Sequence, residues 1–136
     1  MKSALHERFR TLGERYRTER AKQGRKRRGS EAVAPGFDRA AFRWLGDEGL
    51  FRVALEPAQE PSKGGEGLSG VVHALAGFAA GSGDLGLATS LLAHFVCVRL
   101  LARAGTEAQR ALYLPRLLSG EWVGAVANTE PRAGTD

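Results

Sequence analysis

Apolar residues recur at helical spacing soon after residue 36, and the pattern there predicts a short helix. Phe42 and Leu45, in the stretch GFDRAAFRWLGDEGL, fall on one face of such a helix. Asp38 lies where a side chain can cap the first turn, and Gly49 lies where a glycine can end the helix in a left-handed conformation. We therefore expect a capped helix in this stretch.

A connection and a second helical pattern come next. The apolar piece LFRVALEP ends at Pro57, and the stretch after it is rich in Gly and Pro. It lacks the Lys-Ser or Lys-Thr pair of a phosphate-binding loop, which favours a flexible surface connection. Helical spacing resumes with Val71, Leu75 and Phe78 on one face, and Ser69 is available as the N-cap.

The third pattern, from about Asp84 to Ala104, is apolar nearly all round. A helix of this kind is usually buried on several sides, so we expect it at the centre of a helical bundle. We do not expect it to span a membrane, because its uncharged part, residues 85–98, covers 14 residues, short of the roughly 20 that a bilayer requires. Arg99 and Arg103 interrupt the stretch that follows.

A fourth helix and then a strand complete the pattern. Thr106 can cap the helix, Pro115 is expected to kink or tighten it, and Gly120 ends it. The next stretch, EWVGAVANTE, has the residue types of a strand, with Trp122 and Val126 among them. No other segment indicates a strand that could pair with it, and a lone strand is not stable. We predict a mainly α fold followed by the first strand of a β domain that is not in the chain.

Charge divides the chain at about residue 30. The first 30 residues hold 11 of the 20 Lys and Arg residues but 3 of the 15 Asp and Glu residues, and they include the cluster Arg25–Arg28. For this basic N-terminal arm we favour a solvated helical or frayed extension over a contact with nucleic acid, an anionic membrane or a partner protein. Glu7, Glu14 and Glu19 argue against a mitochondrial presequence, and no secretory signal is present, so we expect a cytoplasmic protein.

The cysteine and histidine content excludes the common metal and disulfide sites. The single cysteine, Cys97, allows no internal disulfide, and its apolar neighbours in the sequence favour a buried, inert thiol. His6, His73 and His94 lie far apart in the sequence and form no ligand spacing with a carboxylate. We therefore predict no metal site.

The end of the chain has the composition of a polar turn. The stretch VANTEPRAGTD starts with apolar residues, passes through Thr129 and Glu130, and then meets Pro131, which disfavours helix. Such a turn exposes backbone N–H groups and the hydroxyls of Thr129 and Thr135, which suit a polar ligand edge or a phosphate. An ordinary turn at the end of a strand is an equal alternative.

The order of these motifs resembles the acyl-CoA dehydrogenase family. The resemblance lies in the helix GTEAQRALYLPRLLSGE, the strand after it and the motif TEPRAGTD, and it extends upstream through WLGDEGLFRVALEP, GGEGLS and His94. It covers about residues 37–136. It implies that residues 31–120 form an orthogonal helical bundle, the N-terminal domain, after the basic arm at residues 1–30. Residues 121–136 would be the first strand and the start of the flavin loop of a middle β domain, and a second helical domain would complete the subunit.

In that family the matching strand and loop lie against FAD. The resemblance therefore implies that FAD is the cofactor and that five residues contact it: Val126, Asn128, Thr129, Gly134 and Thr135. It also implies a substrate contact at Thr135. The helix of His94 would lie near the acyl tail, which makes His94 a second candidate for substrate binding, although a core histidine with satisfied hydrogen bonds is the favoured alternative.

The activity implied is α,β-dehydrogenation of an acyl-CoA thioester. No residue here is assigned as the catalytic base, Glu130 included, because the family's catalytic glutamate lies in the later helical domain, beyond Asp136. The implied partners are the acyl-CoA substrate, further copies in a dimer or tetramer, and a flavoprotein or oxygen as electron acceptor; we do not expect nucleic acid. The alternative is a non-catalytic helical interaction module, a truncated or degenerate relative. Val126 and Asn128 depart from the family's usual residue types.

Overall fold

Helices make up the described part of the molecule. The computed structural model describes residues 4–27, 37–55, 68–127 and 129, with the backbone alone for residues 23–27, 68 and 69. Its helices are, in chain order, α1 (Ala4–Arg27), α2 (Arg39–Asp47), a 3₁₀ helix (Leu50–Leu55), α3 (Leu68–Ser82), α4 (Leu85–Ala104) and α5 (Glu107–Leu118). No strand occurs within the described ranges. The prediction of a mainly α fold is confirmed.

Three helices begin where the sequence provides a capping side chain. Asp38 and Asp84 each accept the backbone N–H of the residue three positions further on, at 3.0 and 2.9 Å, at the starts of α2 and α4. Thr106 exchanges reciprocal hydrogen bonds with residue 109 at the start of α5, which satisfies two backbone donors. Gly49 and Gly120 follow α2 and α5 with φ values of 79° and 71°, as predicted for helix ends.

The segment predicted to be a solvated arm forms α1, which packs along α3. Phe9, Leu12 and Tyr16 are buried, with exposed fractions of 0%, 5% and 4%. They recur at spacings of three and four residues, so one apolar face of α1 joins the core although the rest of the helix is charged. The expectation of a solvated extension is therefore wrong for residues 4–22, whose side chains are described, and the bundle begins with α1.

The backbones of α1 and α3 approach each other closely where one of the two helices has a glycine. A Cβ atom built on Gly77 would lie 2.2 Å from the carbonyl oxygen of His6, and one built on Gly81 would lie 2.0 Å from that of Arg10. Gly13, on α1, would meet a carbonyl oxygen of α3 at 2.4 Å in the same way. Glycine at these positions is required by space, because helix backbones approach this closely only where no Cβ intervenes.

Ion pairs join α1 to two other helices. Both terminal guanidinium nitrogens of Arg15 donate to the carboxylate of Glu48, at the end of α2, at 2.9 and 2.8 Å. Arg20 donates to Tyr16 Oη at 2.6 Å and to the carboxylate of Asp84 at 3.0 Å. Because Asp84 also caps α4, this network connects the middle of α1 to the start of α4.

The hydrophobic core lies where α1, the 3₁₀ helix, α3 and α4 meet. Its members come from every helix of the described part, and fully buried aromatic rings dominate its centre. The largest of these side chains are Phe9, Phe42, Phe51, Phe78 and Phe95.

Two expected details of α3 and α4 differ from the structure. Ser69 lies inside α3, which begins one residue earlier, and is therefore not its N-cap.

The second difference concerns α4, which is buried on one face and not all round. Leu91, Phe95 and Val98 face the core, whereas Leu85 and Leu100 are 74% and 56% exposed. By length and composition α4 is the one described helix that could cross a membrane, but a core helix passes the same test. Here the helix packs against α3, α5 and the 3₁₀ helix.

Candidate functional site

The segment that follows α5 turns back onto that helix. Gly120, with its positive φ, makes the turn, and the backbone N–H of Trp122 donates to the carbonyl oxygen of Arg116 at 3.1 Å. The Trp122 ring lies with its centroid 5.8 Å from that of Tyr113 and 4.6 Å from the guanidinium carbon of Arg116. Aromatic and cation–π contacts of this kind anchor the start of the segment on α5.

His94 joins three parts of the molecule beneath this segment. Its ring is fully buried in α4. The backbone N–H of Gly124 donates to Nδ1 at 2.9 Å, and Nε2 lies 3.2 Å from the carbonyl oxygen of Leu117, in the last turn of α5. Because a backbone N–H can only donate, Nδ1 is the acceptor, so Nε2 carries the proton and donates to Leu117.

The surroundings of His94 keep its ring neutral. Burial lowers its pKa from 6.5 to about 4, and the hydrogen bond to the Leu117 carbonyl opposes this shift. The ring centroids of Phe42 and Phe51 lie 4.9 and 4.3 Å from that of His94, with interplanar angles of 85° and 62°. At neutral pH both ring nitrogens are therefore committed to backbone groups. This geometry favours the core histidine over the predicted substrate contact.

Gly124 passes against α4 too closely for any side chain. A Cβ atom built there would lie 2.7 Å from Cβ and 2.8 Å from Sγ of Cys97, and 3.3 Å from Nδ1 of His94. Sequence reasoning did not single out this glycine, although a glycine inside a strand-like pattern is a known sign of close backbone approach. Cys97 itself is half-buried, not fully buried as expected.

Two grooves flank α4. The first, the α4–α5 groove, has a volume of about 490 Å³ and is bordered by Cys97 and Leu101 of α4, Tyr113 of α5 and the segment from Trp122 to Ala125. The second, the α3–α4 groove, has a volume of about 250 Å³, and its walls are mostly aliphatic and aromatic. The lining residues of the α3–α4 groove are Val71, Leu92, Phe95, Val96, Arg99, Leu100 and Arg103.

The predicted cofactor residues are partly within the described structure. Val126 is 41% exposed and Thr129 is exposed. Asn128, Gly134 and Thr135 lie outside the described residues. The stretch 123–127, predicted as a strand, has neither helix nor strand structure, and the described part of the chain contains no strand to pair with it.

Among the residues that the structure describes, no group of three or more His, Cys, Asp or Glu side chains could hold a metal ion. No buried side-chain nitrogen or oxygen in these residues lacks a hydrogen-bond partner. The buried polar groups of the described residues are thus used within the fold, and around α4 a ligand could bind in the two grooves or at the exposed segment after Gly124.

Comparison with known proteins identifies the family to which the helical bundle belongs. The sequence profile described as "Acyl-CoA dehydrogenase, N-terminal domain" matches residues 3–121, from the start of α1 to the turn after α5. The chain belongs to the acyl-CoA dehydrogenase family. The match begins within the segment predicted as an arm, which agrees with the packing of α1 as the first helix of this N-terminal domain.

Similar acyl-CoA dehydrogenases are several times longer than this chain. Mitochondrial isovaleryl-CoA dehydrogenase of Pongo abelii is 38% identical over 100 residues, 72% of this chain and 22% of that protein. The 3-methylmercaptopropionyl-CoA dehydrogenase of Ruegeria pomeroyi is 32% identical over 114 residues, 84% of this chain and 19% of that protein. The chain thus spans about a fifth of the length of these curated relatives. No solved structure matches the chain.

Proposed function

We propose that this chain is the N-terminal portion of an FAD-dependent acyl-CoA dehydrogenase, which introduces a double bond between the α and β carbons of an acyl thioester. The observation that carries the proposal is the family match over residues 3–121, together with the motif TEPRAGTD at residues 129–136. In this proposal the bundle supplies a rigid wall for the substrate and holds the start of the segment that meets the cofactor.

The residues after Gly124 have the chemistry that a flavin edge requires. When bound, FAD would accept the hydride that leaves the β carbon of the substrate. Val126 and Thr129 are exposed, so their backbone groups and the Thr129 hydroxyl are accessible to a ligand. Together with Asn128, Gly134 and Thr135 they are the proposed contacts. Preorganised donors at these positions would stabilise the negative charge that develops on the ring system.

The α3–α4 groove fits the apolar end of the substrate. Leu92 is 42% exposed at this groove, and Val96 lies one turn further along the same face of α4. An acyl chain placed there would remove these side chains from water, which favours binding by about 25 cal/mol for each Å² of apolar surface covered. Thr135 remains a proposed substrate contact, whereas His94, with both ring nitrogens occupied, is not proposed as one.

The remaining parts of the proposal concern the whole protein. No residue among 1–136 is assigned as the catalytic base. We propose that a glutamate beyond Asp136 takes the proton from the α carbon of the substrate. On family likeness and sequence alone we also propose an acyl-CoA substrate and a dimeric or tetrameric assembly. On the same basis we propose a flavoprotein or oxygen as electron acceptor, and a cytoplasmic location. The dehydrogenases named above do not favour the alternative of a non-catalytic interaction module.

The visible spectrum of the protein purified from its full natural reading frame tests the proposal. We expect flavin absorbance bands, and we expect them to bleach when a suitable acyl-CoA is added without oxygen. A Thr129→Val variant should bind FAD more weakly, while Thr11→Val, which changes an exposed hydroxyl on α1, should bind it normally. A protein that retains no flavin absorbance after incubation with FAD and removal of the unbound cofactor would refute the proposal.

A further inference from the structure

We infer that His94 is a positioning residue that acts through Gly124: by holding the Gly124 amide, it fixes where the segment carrying Val126 and Thr129 leaves the bundle and how that segment meets a flavin. The inference rests on the proposed function for the identity of the ligand. Its structural half, the control of the segment by His94, stands on contacts that this chain makes by itself.

The Gly124 amide depends on His94 for its hydrogen bond. Gly124 is buried, and no described strand lies beside it that could accept its N–H. A buried amide without a partner is costly, so the segment is stable in this position only while Nδ1 of His94, 2.9 Å away, accepts that proton. The neighbouring residues Val123 and Ala125 are exposed, which leaves Gly124 as the point of attachment that follows Trp122 in the described segment.

The His94 ring is itself held in one orientation. Nε2 donates to the Leu117 carbonyl, two phenyl rings pack against the imidazole in T-shaped pairs, and the imidazole is fully buried. A side chain held in this way cannot rotate to follow a moving backbone. The hydrogen bond therefore does more than provide an acceptor for the buried Gly124 amide. It also sets the position of Gly124 relative to α4 and the end of α5.

Cys97, three residues after His94 on α4, leaves no space for a side chain at residue 124. Gly124 lies so close to Cys97 that a methyl group at residue 124 would reach within 2.7 Å of its Cβ. The close contact with Cys97 and the directed hydrogen bond to His94, both made with α4, together define one path for the chain at Gly124. Two residues further on, Val126 is the first of the proposed flavin contacts, so an error in this path is transmitted directly to the cofactor site.

Two histidine replacements separate the roles of the two ring nitrogens. In His94→Asn the amide oxygen can stand in for Nδ1 and accept from Gly124, whereas in His94→Gln the amide nitrogen can stand in for Nε2 and donate to Leu117. Each variant loses one hydrogen bond, so their stabilities should be similar. Leu91→Val, one turn earlier on the buried face of α4, is the matched control for general loosening of the core.

Amide hydrogen exchange at Gly124, measured by NMR on the 136-residue chain, tests the structural half. We expect a protected Gly124 amide in the wild type, His94→Asn and Leu91→Val, and exchange faster by roughly three- to tenfold in His94→Gln, since one net hydrogen bond has about this effect. A Gly124 amide that exchanges as fast as an exposed one in the wild type would overturn the inference, whether or not any variant folds.

The bound flavin tests the functional half in protein from the full reading frame. We expect the flavin absorbance maxima and the FAD affinity of His94→Gln to differ from the wild type, with His94→Asn and Leu91→Val close to it. Equal flavin spectra and FAD affinities in His94→Gln and His94→Asn would overturn the inference about His94 and leave the proposed function intact. A protein without flavin, but with a protected Gly124 amide, would instead refute the proposed function on which the flavin half depends.

Discussion

Replacement of Gly81 by alanine should separate α1 from α3. The new Cβ would lie 2.0 Å from the Arg10 carbonyl oxygen and 2.9 Å from the backbone nitrogen of Glu14, whereas ordinary contacts begin at 3.4 Å. These are backbone atoms of a helix, so the clash cannot be relieved by rotation of a side chain. The helices would have to move apart by roughly an ångström, and that movement would loosen the packing of the apolar face of α1.

The expected cost follows from two opposing effects. Overpacking of a core costs about 1–3 kcal/mol, and the upper end applies here because backbone meets backbone. Alanine favours helix over glycine by about 1 kcal/mol, which offsets part of this cost. We expect a net loss of about 2 kcal/mol, or a melting temperature lower by roughly 8 °C for a chain of this length.

Thermal unfolding followed by circular dichroism measures this change, and Gly86 provides the matched control. Gly86 is exposed in the first turn of α4, where a Cβ would come no closer than 3.6 Å to the capping carboxylate of Asp84. Gly86→Ala should leave the melting temperature unchanged or raise it. If Gly81→Ala were as stable as Gly86→Ala, the close packing of α1 on α3 would be wrong.

Three further predictions concern the site, the caps and the substrate groove. The pKa of His94, lowered by burial to about 4, lies below the ordinary value of 6.5 that applies in the unfolded chain, so stability is complete above pH 6.5 and is lost as the pH falls towards 4. Urea unfolding at pH 4.5 should show a loss of roughly 2–3 kcal/mol that His94→Asn lacks, and equal pH dependence in both proteins would contradict the buried neutral ring. Thr106→Ala removes the cap of α5 and should cost about 1 kcal/mol in the same assay, while Thr89→Ala, in an exposed part of α4, should cost nothing measurable. Leu92→Asn should raise the KM for acyl-CoA without changing the melting temperature, because Leu92 is 42% exposed; an unchanged KM would remove the α3–α4 groove from the proposed substrate site.

Local signals in the sequence predicted most helix boundaries correctly. Asp38, Asp84 and Thr106 each cap the first turn of their own helix, and Gly120 ends α5 by its own backbone conformation. Both kinds of signal are local, so these helix ends can be predicted without knowledge of the tertiary fold. The strongest sequence signal for function was the order of motifs from the fourth helix to TEPRAGTD, and the family match confirms the assignment that this order suggested.

Packing partners could not be predicted in the same way. The apolar face of α1 consists of few residues among many charges, and only contact with the glycines of α3 reveals that it is buried. For α4 the composition indicated burial all round, but neighbours cover one face. The link from His94 to Gly124 joins residues 30 positions apart, and no periodic pattern reports a hydrogen bond at that separation. The flavin contacts at Val126, Asn128, Thr129, Gly134 and Thr135 remain predictions.

Product analysis tests the central proposal most directly. Protein from the full reading frame would be incubated with an electron acceptor and a panel of acyl-CoA thioesters carrying deuterium at the α and β carbons, and the products would be examined by mass spectrometry. A dehydrogenase of the proposed kind should release one deuterium from each carbon and yield the α,β-unsaturated thioester. Thioesters recovered with both labels intact from a flavin-loaded protein, across the whole panel, would contradict the account.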